Sequence, residues 1–393
     1  MQRLAALLLI ATSIAAFAQE DPVQLRERAV GLIAQWKYAE AEPLLARALD
    51  LREQKVGADD LSLVPLIEEL AALYRAEGRN ADAEKLFQRA LGMKAKVIGA
   101  GSLEIIPDLK LLGSLYVSMG RFADAERQYL RVISIRINVK GTEDPDLAKD
   151  CMELAAYYIS QKSYALAEPN LRRAIEILQK TAGPEDLVLI APLESLATVF
   201  VEQKSYSTAV APLRRAIAIL ERVNGPNHSN VAPYLDRLAQ LFFVQKRYAD
   251  AEALYRRTLG IWETAMGPDN PDLATTLDNL AVVLASQEKF EEAEPLYRRS
   301  LALRERTTVA SLNNLAMVLE GNDHNIAAER QWKLAITVGD KLPIISGDPP
   351  GKDAELMAKT LQNYAALLRK MKREAEAKKI DARVKALLNP DQL

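Results

Sequence analysis

The sequence repeats itself every 42 residues, and few architectures tolerate that. An aromatic residue or its substitute, followed by a small-x-small-acid pattern, opens at Tyr38, Asn80, Phe122, Tyr164, Tyr206, Tyr248 and Phe290. Gly57, Gly99, Gly141, Gly183, Gly225 and Gly267 keep the same beat. So does a leucine followed by a small residue: Leu70-Ala71, Leu112-Gly113, Leu154-Ala155, Leu196-Ala197, Leu238-Ala239 and Leu280-Ala281. Three markers in one register mean stacked copies of one supersecondary unit. No copy can bury its apolar stripe alone, so stability comes from stacking.

Each copy reads as two helices. Around Leu280, the residues Thr276, Leu277, Leu280, Ala281 and Leu284 recur at three- and four-residue steps, the spacing of an amphipathic helix. A short polar turn, SQEKF, leads to a second stripe of Ala293, Leu296, Tyr297, Ser300, Leu301 and Leu303. The preceding second helix is predicted to end at Met266, before Gly267-Pro268, with the glycine in a left-handed C-terminal position. The small residues of both helices allow their backbones to approach closely. The turn aromatic is expected to fill the wedge between one copy and the next.

These residues resemble the tetratricopeptide repeat, in the 42-residue variant of kinesin light chains and many bacterial proteins. The stretch GPDNPDLATTLDNLAVVLASQEKFEEAEPLYRRSLALRE, from Gly267 to Glu305, carries the resemblance most fully. It extends over Asp21 to Leu388. It implies an all-α fold: a right-handed α-α superhelix, or solenoid, of about nine helix-turn-helix repeats. Some positions depart from the pattern. The first copy has Arg28 at the marker leucine, as suits a cap facing water, and the fifth has Val210 in place of the acid. After Phe290 the beat shortens, with Ala328 only 35 residues beyond Ala293.

The predicted organisation is a signal peptide at 1–18, repeats at 19–338, an irregular Pro/Gly loop at 339–353, and a degenerate repeat with a charged capping helix at 354–393. The leader has Arg3, an apolar run from Leu4 to Ile14, and Ala16-Phe17-Ala18 as a small-x-small cleavage site. Its apolar run is shorter than the ~20 residues of a spanning helix. An exported chain is therefore expected, periplasmic or secreted.

A formal net charge of −2 offers no basic stripe for nucleic acid. Cys151 is the single cysteine and reads as a buried, inert thiol. His228 and His324 fall in linkers and read as surface structural residues, leaving no ordinary zinc set. No phosphate loop or nucleophile–base pair is recognisable, so no enzyme activity, cofactor or metal is expected. The pairs Arg172-Arg173, Arg214-Arg215, Arg256-Arg257 and Arg298-Arg299 mark an outer face, where they should meet the acids that start the same helices.

The resemblance implies that first helices line a concave groove, with residues beside the marker leucine pointing into it. The positions just before that leucine are Glu69, Leu111, Glu153, Ser195, Arg237, Asn279, Asn314 and Asn363. The three asparagines match those that bond a bound peptide's backbone, since an amide both donates and accepts. Lys359, Arg369 and Lys370 add positive charge. The expected site is thus Arg237, Asn279, Asn314, Asn363, Lys359 and Arg369, holding an extended peptide of acidic character. The functions that fit are a scaffold binding a partner protein, a passive subunit of an envelope assembly, and, remotely, an enzyme with an unrecognised site.

Overall fold

A computed structural model describes residues 21–303, 309–340 and 352–388. The predicted signal peptide and most of the predicted Pro/Gly loop lie outside the described residues. Among the described residues the chain is all helix, and it forms two compact units, one ending at Pro184 and the other beginning at Glu185. The repeat pattern runs through that boundary without a break.

The first unit holds α1 (Pro22–Ile33), α2 (Tyr38–Val56), α3 (Val64–Ala76), α4 (Asn80–Ile98), α5 (Ile106–Ser118), α6 (Phe122–Lys140), α7 (Pro145–Ser160) and α8 (Tyr164–Thr181). The second holds α9 (Ile190–Glu202), α10 (Tyr206–Asn224), α11 (Ala232–Val244), α12 (Tyr248–Met266), α13 (Leu273–Ala285), α14 (Phe290–Leu303), α15 (Val309–Gly321), α16 (Asn325–Gly339), α17 (Lys352–Lys370) and α18 (Glu374–Leu388). Consecutive helices pair as antiparallel hairpins, α1 with α2 through α17 with α18. The helix ending at Met266 stops where Gly267-Pro268 predicts. Gly339, read as the start of a loop, is instead the last helical residue of α16 and is buried.

Within each hairpin the turn is a Schellman motif. In the second, the Arg79 amide donates to the Tyr74 carbonyl (2.8 Å) and the Gly78 amide to the Arg75 carbonyl (3.1 Å). The residue between carries positive φ and recurs on the 42-residue beat: Trp36, Gly78, Gly120, Lys162, Lys204, Lys246 and Glu288. The glycine that ends each second helix does something else. Gly225 has φ 97° and ψ 152°, a mirror-extended conformation rather than the expected left-handed helical one. Only glycine reaches it readily. The linker is then fixed by a side-chain cap three residues on. His228 Nδ1 accepts from the Asn230 amide (3.1 Å), as Asp60, Asp144 and Asp186 accept at matching positions. His228 is therefore a linker cap.

The core follows the small-residue logic. Ala41, Ala83, Ala125, Ala167, Ala209, Ala251 and Ala293 are completely buried. Gly113 replaces alanine where the Tyr129 ring packs 3.1 Å from the position a Cβ would take. The turn aromatics fill their wedges unequally: Phe290 presses against Gly321, whereas Phe122 remains 42% exposed.

Two sets of links tie hairpin to hairpin. The acid of the small-x-small-acid pattern receives a cation from the next hairpin's turn: Arg79 to Glu42 (2.9 Å), Arg121 to Glu84 (2.6 Å), Lys289 to Glu252 (2.7 Å) and Arg373 to Glu329 (2.7 Å). The double arginines divide their work. Arg256 and Arg298 pair with Glu252 and Glu294 one turn earlier, as predicted. Arg257 and Arg299 reach back to the preceding linker, where Arg299 donates to the Pro268 carbonyl (2.6 Å). Arg89 and Arg131 make the same bond to Ala58 (2.8 Å) and Ala100 (3.1 Å).

Candidate functional site: a groove in the second unit

A cavity of ≈ 820 Å³ in the second unit is lined by three successive first helices and the ends of two second helices. Glu194 comes from α9, Pro233, Tyr234, Asp236 and Arg237 from α11, and Thr275 and Thr276 from α13. Leu220, Trp262 and Met266, near the ends of α10 and α12, make the apolar part. The first helices present these residues because Leu193, Leu196, Leu235 and Leu238 bury the opposite stripe. A smaller cavity, ≈ 350 Å³, lies between α9 and α11 and shares Arg237, with Val201, Gln240 and Val244 on its walls.

Arg237 thus stands in the groove, but its charge is met inside the unit. Its guanidinium forms an ion pair with Glu194, whose other oxygen accepts from the Tyr234 hydroxyl (3.0 Å). Burial and that bond push the Tyr234 hydroxyl up to about 12. Asn279 lies one bond behind the cavity, donating to Asp236. Burial holds the Asp236 carboxyl above its ordinary range, and the Asn279 bond only partly offsets it.

The remaining predicted residues separate from this cavity. Asn314, half-buried, lies on α15, and Lys359, exposed, on α17. Asn363 donates to Asn313 Oδ1 (3.1 Å), which also accepts from Trp332 Nε1 (3.1 Å). Arg369 pairs with Asp381 on α18, within its own hairpin. Lys370 lies 3.4 Å from Asp323. The charges expected to gather at the C-terminal end are mostly paired locally.

The sequence reading missed Glu194 and Asp236. Their signal is nonetheless periodic, because the residue two before the marker leucine is Glu68, Lys110, Met152, Glu194, Asp236 and Asp278 in successive copies, ionisable in all but one. In the first unit the same positions are neutralised from within. Lys94 Nζ lies 2.7 Å from Glu68 and 3.0 Å from Asp108, which is 1% exposed. Lys110 Nζ lies 2.8 Å from Asp150, which Arg136 also pairs. The first unit has a cavity of its own, ≈ 440 Å³, walled by Lys110, Tyr129, Glu153 and Tyr157.

Among the described residues no group of three or more His, Cys, Asp or Glu side chains is placed to hold a metal ion. No described helix is long and apolar enough to cross a membrane.

The family profile described as Tetratricopeptide repeat matches residues 25–96, 62–138, 150–222 and 229–306, more than half of the chain. No curated protein matches the sequence. Among solved structures, the apo form of RapI is 13% identical, with 95% of this chain and 99% of that one covered and a TM-score of 0.53. A putative kinesin light chain from Podosopora anserina with nearly identical repeats is 20% identical over 51% of this chain and 98% of that one, with a TM-score of 0.45. BtubC from P. vanneervenii is 22% identical over 58% and 90%, also at 0.45.

Proposed function

We propose that this chain, which belongs to the tetratricopeptide repeat family, is a scaffold that holds an extended segment of a partner protein in the groove of its second unit. One observation carries the reading. The ≈ 820 Å³ cavity combines the apolar side chains of Leu220, Trp262 and Met266 with the polar ones of Glu194, Asp236 and Arg237. That is the composition of a recognition site, where apolar contact supplies affinity and a few polar groups fix orientation. The test is a selection of short random peptides on the purified full chain. Selected peptides should bind the native chain and lose binding when Arg237, Trp262 and Met266, which line the cavity, are replaced together by alanine. Binding that survives the triple replacement, or no selectable peptide, would sink the reading.

We also propose that residues 1–18 export the chain, so that the partner is met in the periplasm or outside the cell. Support comes from the charged, apolar and small-residue segments of the leader. Mass spectrometry of the native protein should find an N-terminus at Gln19 in an envelope or secreted fraction. A cytoplasmic protein that keeps Met1 would refute export.

A further inference from the structure

We propose that the segment held in this groove presents a lysine or arginine side chain to Asp236, so that the partner motif is basic. The inference rests on the groove reading above and adds the chemistry of its occupant.

The reasoning comes from comparing equivalent positions of the repeat. In the copy containing α3 and α4, three groups form a triad: Glu68 on the first helix, Lys94 near the end of the second, and Asp108 on the next first helix. The copy 42 residues on has Lys110, Arg136 and Asp150, again joined by ion pairs. The same register in the second unit reads Glu194, Leu220, Tyr234 and then Asp236, Trp262, Thr276. All six of these residues line the ≈ 820 Å³ cavity. Both second-unit sets open on an acid, as the Glu68 triad does, but the central cation, Lys94 or Arg136 in the first unit, has become leucine or tryptophan.

The cavity therefore occupies the place where the first unit keeps its own positive charge. Its lining carries the carboxylates Glu194, Asp236 and Asp272 against the single guanidinium of Arg237, which is already paired with Glu194. Among the described residues Asp236 meets Asn279, an amide with no charge to offer, and the Tyr255 hydroxyl, but forms no ion pair with a cation. A carboxylate left half-buried without a cation is costly, and a ligand ammonium or guanidinium would relieve that cost. The Tyr234 and Trp262 rings that line the same cavity suit a cation, and Leu220 and Met266 leave apolar room for a neighbouring side chain. An acidic segment would meet three carboxylates and one guanidinium that is already paired.

The same peptide selection tests this, with a second set of variants. The pool recovered on the native chain should be enriched in lysine and arginine next to apolar residues. A selected peptide should lose roughly tenfold to a hundredfold in affinity on Asp236→Asn, and equally when its own basic residue is replaced by norleucine. Its affinity should fall as salt is raised. Trp262→Lys, which restores the internal cation of the first unit, should abolish binding. Leu220→Lys makes the same test at the neighbouring triad if the tryptophan variant does not fold. A pool that is acidic or neutral, yet lost in the Arg237, Trp262 and Met266 triple variant, overturns the basic motif and leaves the groove reading standing. A pool indifferent to that triple variant overturns both.

Discussion

At the scale of single residues, burial decides reactivity and cost. Cys151 has no accessible surface, and burial pushes its thiol up to about 11 against a smaller opposing pull from Arg173. A maleimide at neutral pH should therefore label Cys151 only after denaturant unfolds the chain; rapid labelling of the native protein would contradict its placement. Lys94 is a sharper case. One ammonium serves two carboxylates, and burial raises the Glu68 carboxyl even with Lys94 beside it. Lys94→Met should cost about 3–5 kcal/mol in a denaturant titration, because it leaves buried charge unpaired. The exposed Arg172–Glu168 pair, one helical turn apart, should cost at most about 0.5 kcal/mol when broken. Gly225→Ala should cost about 1–3 kcal/mol, since alanine strains at φ 97°, ψ 152° although nothing crowds its side chain.

At the scale of helices and hairpins, most of the architecture was legible and most of the linkage was not. Periodicity located helix ends to within a few residues because a run of apolar contacts and a Gly-Pro stop are both local signals. The backbone of the terminating glycines differs from the sequence expectation, since a Gly-Pro stop calls for positive φ but does not distinguish the left-handed helical region from the mirror-extended one. The inter-hairpin bonds were also missed. The acids of the YAEAE pattern and the second arginine of each pair act on a neighbouring hairpin, and no single copy reveals that. Val210 is the exception that fits: without the acid, it packs with the apolar core that contains Phe242, and Arg247 stacks 4.2 Å over that ring. One junction is tight enough to test. A Cβ on Gly321 would come within 2.6 Å of the Phe290 ring. Gly321→Ala should destabilise by about 1–3 kcal/mol, and Phe290→Leu in the same chain should recover much of the loss. Additive losses in the double variant would show that the two residues do not meet.

At the scale of the whole molecule, stability is a sum of hairpin and nearest-neighbour terms. Arg299→Ala removes the bond to the Pro268 linker. Hydrogen exchange should quicken in α12 to α14 and stay unchanged in α1 to α6; acceleration throughout would mean that the array unfolds as one body. The site was only partly readable for a related reason. Arg237 and Asn279 could be picked from their place beside the marker leucine, but their charge balance depends on Glu194 and Asp236, which lie in other helices or on the neighbouring stripe. Sequence shows which side chains share a register, whereas pairing across hairpins decides which of them still have charge to spare.

The arginine links have one more consequence. Arg89 to Ala58, Arg131 to Ala100, Arg257 to Pro226 and Arg299 to Pro268 each span the same 31 residues. Each of these hairpins carries a hook for the linker that joins it to the one before. Loss or duplication of a whole 42-residue copy would rejoin hook to linker across the new junction, with no dangling polar group. The length of such a chain is thus free to drift by whole copies, and a copy gained that way could change its groove residues while its neighbours keep theirs.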